Sequence, residues 1–342
     1  MQYSASYVGA AMLTALVLGA GQASAATLVE NEELELDLIG LGEVGLVHHE
    51  SHETHASANA NQVNVNLARL AGKARWVDLG GLIGQVEARS GEAQLLDAAV
   101  YLQPVDVFRL KAGRFKVPVS AEVLVPASAM LFSKRAALVE LAPGRLNGAE
   151  VTLSPHLGDT AVELRTALFI PETPEGDVAP GALAVGRLAV EGPAHTWLHL
   201  GFAEHVFAAN EANREPGAET PRPFEYERQL DAAIMFHTEP WKLHLEGLYV
   251  FDGPEETKPY GAVASAAYDF HVGERILEPA VAYDFLDRGE EVLHRGTAAL
   301  NTYWHSTDLM TTVEYEFETE SGHGEETGGP EHTFSVLLQA GF

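Results

Sequence analysis

Cysteine is absent from the 342 residues, which excludes a disulfide framework and a thiolate metal site. Basic residues are scarce. Only 21 lysines and arginines stand against 49 acids, a formal charge of −28. Nucleic acid is excluded as a partner, because phosphate binding needs a basic patch. Long apolar runs are missing too. Beyond residue 25 no stretch approaches the roughly 18–20 apolar residues of a spanning helix, and the mean hydropathy of −0.03 resembles that of a water-soluble chain. Such averages miss a barrel strand, half of whose residues are polar.

Residues 1–25 contain no charged side chain. An apolar core from Val8 to Ala20 is followed by Ala23-Ser24-Ala25, an A-x-A cleavage pattern. These features predict a secretory signal over 1–25 and one mature domain over 26–342. An export signal without cysteine fits a bacterial cell envelope.

From Leu34 onward the chain repeats one theme, about ten residues of alternating polarity and then a break. Phe334, Val336, Leu338, Ala340 and Phe342 share one face, opposite Thr333, Ser335 and Gln339. Leu309, Val313, Tyr315 and Phe317 oppose Thr312, Glu314 and Glu316, and Leu243, Leu245 and Tyr249 oppose Lys242, His244 and Glu246. A period of two means strands with one apolar and one polar face. A soluble sandwich alternates as well, but it has no reason to sort its connections by length. Here tight breaks at 155–159, 192–195, 237–240, 271–273 and 305–307 intervene between long ones at 49–60, 118–146, 171–181, 208–223 and 320–330. Aromatics such as Trp197, Phe207, Trp241, Phe251, Tyr268, Tyr283, Trp304 and Phe317 end the apolar faces, as interfacial girdles do.

The expected fold is therefore all-β, a transmembrane antiparallel barrel of about sixteen strands. The first eight spans are 33–48, 61–71, 79–89, 93–103, 106–117, 147–155, 160–170 and 182–191. The others are 195–207, 224–237, 240–251, 259–270, 274–286, 291–304, 307–319 and 331–342. A barrel of that size leaves an aqueous channel.

The run from Phe108 to Pro118, with Gly113-Arg114-Phe115-Lys116 at its centre, resembles the strand and "GRFK-P" segment of the phosphate-selective porin O/P family. Ser133-Lys134-Arg135 through Leu141 is similar to that family's return from its third outer loop, and Asn147 to Val151 to the next strand. The resemblance implies a sixteen-stranded, trimeric diffusion channel of the outer membrane. It also implies that the third outer loop, 118–146, folds inward to narrow the pore, and that phosphate or another anion is favoured.

Phe108, Leu110 and Ala112 share one face, so Arg109 and Lys111 point into the lumen; a charge facing lipid costs about 2–4 kcal/mol at mid-bilayer. With Arg114, Lys116, Lys134 and Arg135 on or beside the long loop, they are candidates for a selective ring. Glu163 and Arg165 are further pore-lining candidates, and Asp231, Glu246, Asp284, Glu314 and Glu316 also face inward. Acids so outnumber bases that general diffusion of small solutes and ions fits the residues better than a phosphate-specific path. His48, His49, His52 and His55 form a dense but weak metal-binding candidate, and no cofactor is expected. No nucleophile–base pair or zinc-protease motif occurs, so an enzyme is not expected. The alternative is a non-conducting structural or surface-interaction barrel with cation-binding acidic loops. Expected partners are outer-membrane lipid and lipopolysaccharide, solutes in transit, two further copies in a homotrimer, and the outer-membrane assembly machinery through the terminal Phe342.

Overall fold

The computed structural model describes residues 26–30, 34–53, 56–76, 79–89, 92–172, 181–206, 228–251, 258–289, 291–304, 309–322 and 329–341. The expected signal at 1–25, together with His55, Phe207 and Phe342, lies outside the described residues, and of His52 only the backbone is described.

Alternating side chains put nineteen extended segments into one sheet, and three short ones lie outside its main ring. The remaining sixteen begin with β1 (Leu34–Glu53), β2 (Ala56–Trp76), β3 (Gly80–Arg89), β4 (Glu92–Val105) and β5 (Phe108–Lys116). They continue with β6 (Arg145–Leu153), β7 (Thr160–Ile170), β8 (Ala182–Glu191), β9 (Thr196–Val206), β10 (Arg228–Thr238) and β11 (Trp241–Val250). The last are β12 (Tyr260–Tyr268), β13 (Arg275–Asp287), β14 (Glu291–Trp304), β15 (Leu309–Gly322) and β16 (Glu331–Gly341). Each strand pairs antiparallel with the next, and β16 returns to β1 in register from Glu331↔Ser51 to Gly341↔Leu41. The ring is closed, so no free sheet edge meets the surroundings. Of the short segments, Ala26–Glu30 continues the edge of β1 beyond Gly341, pairing Ala26 with Leu38.

The polarity of this barrel is inverted relative to a water-soluble one. On β9, Leu198, Leu200 and Phe202 are exposed while His199 and His205 are buried. On β15, Val313, Tyr315 and Phe317 are exposed while Thr312, Glu314 and Glu316 are buried. A continuous outward belt of large apolar residues needs lipid to cover it.

Three expectations require correction. The stretch 49–60 is largely ladder rather than loop, since β1 runs to Glu53 and β2 starts at Ala56. Both side-chain parities are polar in this part of the sequence, so alternation fades while backbone pairing continues. The connections at 90–91 and 288–290 are as short as those at the opposite end, so loops are not sorted strictly by length. Finally, Trp197 is not a girdle residue. Its register opposite Met235 gives it the parity of buried His199, whereas Trp241 and Tyr283 are 50% and 53% exposed on the outer face.

Candidate functional site

Between β5 and β6, residues 117–144 include one turn of helix, α1 (Ala121–Leu124). The Ser120 hydroxyl caps it by accepting the Val123 amide at 3.1 Å. It ends at Val125, because a residue preceding a proline, here Pro126, avoids the helical region.

This segment is bonded to the polar face of β9–β15. The Ser120 hydroxyl and the Glu122 amide both donate to the Glu246 carboxylate, at 2.6 and 2.8 Å. The Ser133 amide donates to Glu314 at 2.8 Å and the Ala137 amide to Asp284 at 3.0 Å. Gln229 and Asn301 donate to the Leu141 and Leu131 carbonyls at 2.8 and 3.0 Å. Arg187 donates to Nδ1 of His199, which leaves Nε2 to donate to the Val119 carbonyl at 2.6 Å. Leu138 and Leu141 are buried against Leu248, Val250 and Leu286. Acids on this wall thus act as acceptors for amides of the segment, a use that composition alone does not reveal. Burial holds the Glu122 carboxyl above its ordinary range, against the pull of His244 and Arg135.

The residues singled out in the sequence separate into groups. On the wall formed by β5–β8, Lys111 lies 2.8 Å from Glu150 and over the Phe115 ring. Arg165 lies 2.9 Å from Glu163, which also binds Arg187. Arg109 faces the same way, its Nε buried without a hydrogen-bond partner. Arg114 pairs with Glu172 at 2.8 Å. Lys116 donates to the Val123 and Val125 carbonyls at 2.6 and 3.1 Å, and Arg135 to those of Glu122 and Val125. Both occupy the carbonyl end of α1, where cations are favoured. Lys134 pairs with Glu316 at 2.7 Å and keeps more than half of its side chain exposed.

A cavity of about 550 Å³ lies between the segment and the wall of β1–β4 and β14–β16. Lys116, Lys134 and Arg135 line it, and so do Arg69, Arg89, Arg145 and Arg295, which sequence reasoning missed. Glu43, Glu87 and Glu140 are the acids of its wall. Alternation shows which way a residue points, but only closure of the barrel tells which strands face one another. Arg109 and Lys111, by contrast, do not line this cavity.

The histidine cluster is divided. His48 pairs in register with outward Phe334, whereas His49 bonds Thr333 at 3.0 Å on the opposite face of β1. Among the described residues no group of three or more histidines and acids converges as a metal site.

No protein-family model matches the sequence, and no curated protein matches it. Solved structures do match. The anion-selective porin from Comamonas acidovorans is 13% identical with a TM-score of 0.62, covering 91% of this chain and all of that one. The outer-membrane channel DcaP of Acinetobacter baumannii is 11% identical with a TM-score of 0.63, covering 93% of this chain and all of that one. A trimer form of OmpT, an outer-membrane protein of Vibrio cholerae, is 10% identical with a TM-score of 0.58, covering 91% and 100%. The fold is that of sixteen-stranded outer-membrane porins.

Proposed function

We propose that the chain is a passive diffusion pore of the bacterial outer membrane, carrying small hydrophilic solutes and ions down their gradients. One observation carries this reading: a cavity lined by charged groups persists inside a barrel whose outer surface is apolar. A sixteen-stranded barrel is too wide for side chains to fill, and the segment 117–144 leaves this space open. The segment 117–144 acts as the constriction loop. Its hydrogen bonds to Glu246, Asp284 and Glu314 support this, as does the resemblance of residues 108–151 to the phosphate-selective porin O/P family.

Seven bases against three acids in the cavity wall favour anions over cations, a bias reduced by Glu316, Asp97 and Glu318 paired behind Lys134, Arg145 and Arg295. They do not single out phosphate, because Lys116 and Arg135 are engaged with backbone carbonyls rather than free to clamp an oxyanion. A homotrimer is proposed with the pore, on the same family resemblance and on the trimer form among the similar structures. Purified, folded protein in a planar bilayer should give stepwise conductance, with a reversal potential in a KCl gradient on the chloride side. Silence from folded protein would overturn the pore; a cation-side potential would overturn the anion preference.

A further inference from the structure

A second cavity, of about 620 Å³, adjoins the first and has a different chemistry. Its wall is mainly apolar. The constriction segment contributes Leu124, Val125 and Leu131, and the barrel contributes Trp197, Met235 and Ile276. Leu131 and Phe132 also pack on the small side chains Ala267, Ala280 and Ala299. The interior of a water-filled barrel is ordinarily polar, and simple ions gain nothing from such a surface. Its volume falls within the roughly 300–1,000 Å³ of ligand pockets, which combine apolar walls with a few placed polar groups.

The charged groups around this second cavity are already engaged. Lys242 is held by Asp269 and Glu278, and Arg187 by Glu163. Neither supplies an open counter-charge. At the boundary Met130, Phe132 and Lys134 belong to the walls of both cavities, and Lys134, although paired with Glu316, keeps more than half of its side chain exposed. A molecule lying across that boundary meets apolar surface at one end and the basic cavity at the other.

We infer that the two cavities together form a binding site for amphipathic organic anions, solutes with an aromatic or aliphatic body and a carboxylate-like head. The body occupies the space beside Trp197 and Met235, and the head reaches past Lys134 toward the basic cavity. Met235 and Met130 suit this role, since a flexible thioether chain adapts to bodies of differing shape. Inorganic anions use the basic cavity alone. This assignment rests on the pore reading and names its substrate class.

The test uses the wild-type protein in planar bilayers in KCl, with 4-phenylbutyrate, butyrate or 4-phenylbutylammonium added to both sides. The half-blocking concentration of 4-phenylbutyrate should be at least about tenfold below that of butyrate, as expected when a ring is buried. It should also lie below that of 4-phenylbutylammonium. Replacing Trp197 and Met235 together by serine should bring the phenylbutyrate-to-butyrate ratio down to about threefold or less. Equal block by butyrate and 4-phenylbutyrate in a conducting wild-type channel would overturn the apolar site and leave the pore reading intact. Equal or stronger block by the phenylalkyl cation would overturn the anionic assignment. Absence of any KCl current would instead overturn the pore reading beneath both.

Discussion

Ser120 and Glu246, 126 positions apart in sequence, are joined by a 2.6 Å hydrogen bond between hydroxyl and carboxylate. The same hydroxyl accepts the Val123 amide, so one side chain both caps α1 and ties it to β11. Glu246 in turn accepts the Glu122 amide at 2.8 Å. Truncating Glu246 to alanine removes both carboxylate oxygens, strands the Ser120 and Glu122 donors at about 1–3 kcal/mol each, and takes away the partner of His244 at 2.9 Å. The Glu246→Ala channel should show larger open-state current noise and higher mean conductance than wild type. Ser120→Ala should show a smaller change in the same direction. Current traces indistinguishable from wild type in Glu246→Ala would remove this tether from the constriction.

Two glycines mark where the segment 117–144 presses on the wall. A Cβ placed on Gly201 would lie 2.0 Å from the Val119 carbonyl oxygen, and one on Gly261 would lie 2.7 Å from Leu138 Cβ. Neither glycine has a positive φ, so the requirement is for space rather than for an unusual backbone. Gly201→Ala should therefore displace the segment and alter single-channel conductance while the barrel still folds, as judged by its heat-dependent gel migration. Gly186, which has the outward parity of its register partner Phe202 and whose Cβ would meet nothing within 4 Å, is the outward-facing control and should tolerate alanine with no change in conductance.

Lys111 and Lys134 look alike in the sequence, but their surroundings assign them different work. Lys134→Glu and Arg145→Glu reverse charge in the wall of the basic cavity and should shift the reversal potential toward cations. Lys111→Gln should leave that potential nearly unchanged, because Lys111 does not line the cavity. Its cost is structural. Glu150, whose side chain is fully buried, would lose its cation, a loss on the order of 3–5 kcal/mol. A lowered unfolding temperature with unchanged selectivity is the expected outcome. A large selectivity shift in Lys111→Gln would return it to the filter.

Most of the fold was legible because alternation is a local property. Strands β3 to β16 follow from side-chain parity and from their breaks. Parity ran out at Glu50, His52 and Glu53, where both faces are polar and the ladder continues unseen. It also misled at Trp197, since an aromatic at a strand end reads equally as a girdle or as the wall of an internal apolar cavity. The basic cavity was legible only in part. Lys116, Lys134 and Arg135 stood near a recognisable segment, whereas Arg69 and Arg295 join them only because β16 closes on β1. Across-barrel proximity leaves no trace in a single sequence.

The floor of the apolar cavity supplies the last prediction. Lys242 on β11 is held by Asp269 and Glu278. Glu278, fully buried on β13, also accepts from Asn301 at 3.1 Å and from Tyr303 at 2.9 Å on β14. Thr312 on β15 extends the chain of bonds, donating to Asn301 at 2.8 Å. One ammonium thus faces two carboxylates in a polar network running from β11 to β15. Lys242→Met should destabilise the folded barrel by about 3–5 kcal/mol, because a buried carboxylate is left without its cation. Lys242→Arg should lose much less, since the charge persists. Pairing Lys242→Met with Glu278→Met should recover part of the loss, because one of the two uncompensated carboxylates goes with it while Asp269 remains. The temperature at which the folded band disappears on a gel reads all three variants. If the double variant is no more stable than Lys242→Met alone, the loss comes from packing rather than from charge, and the network does not hold this wall together.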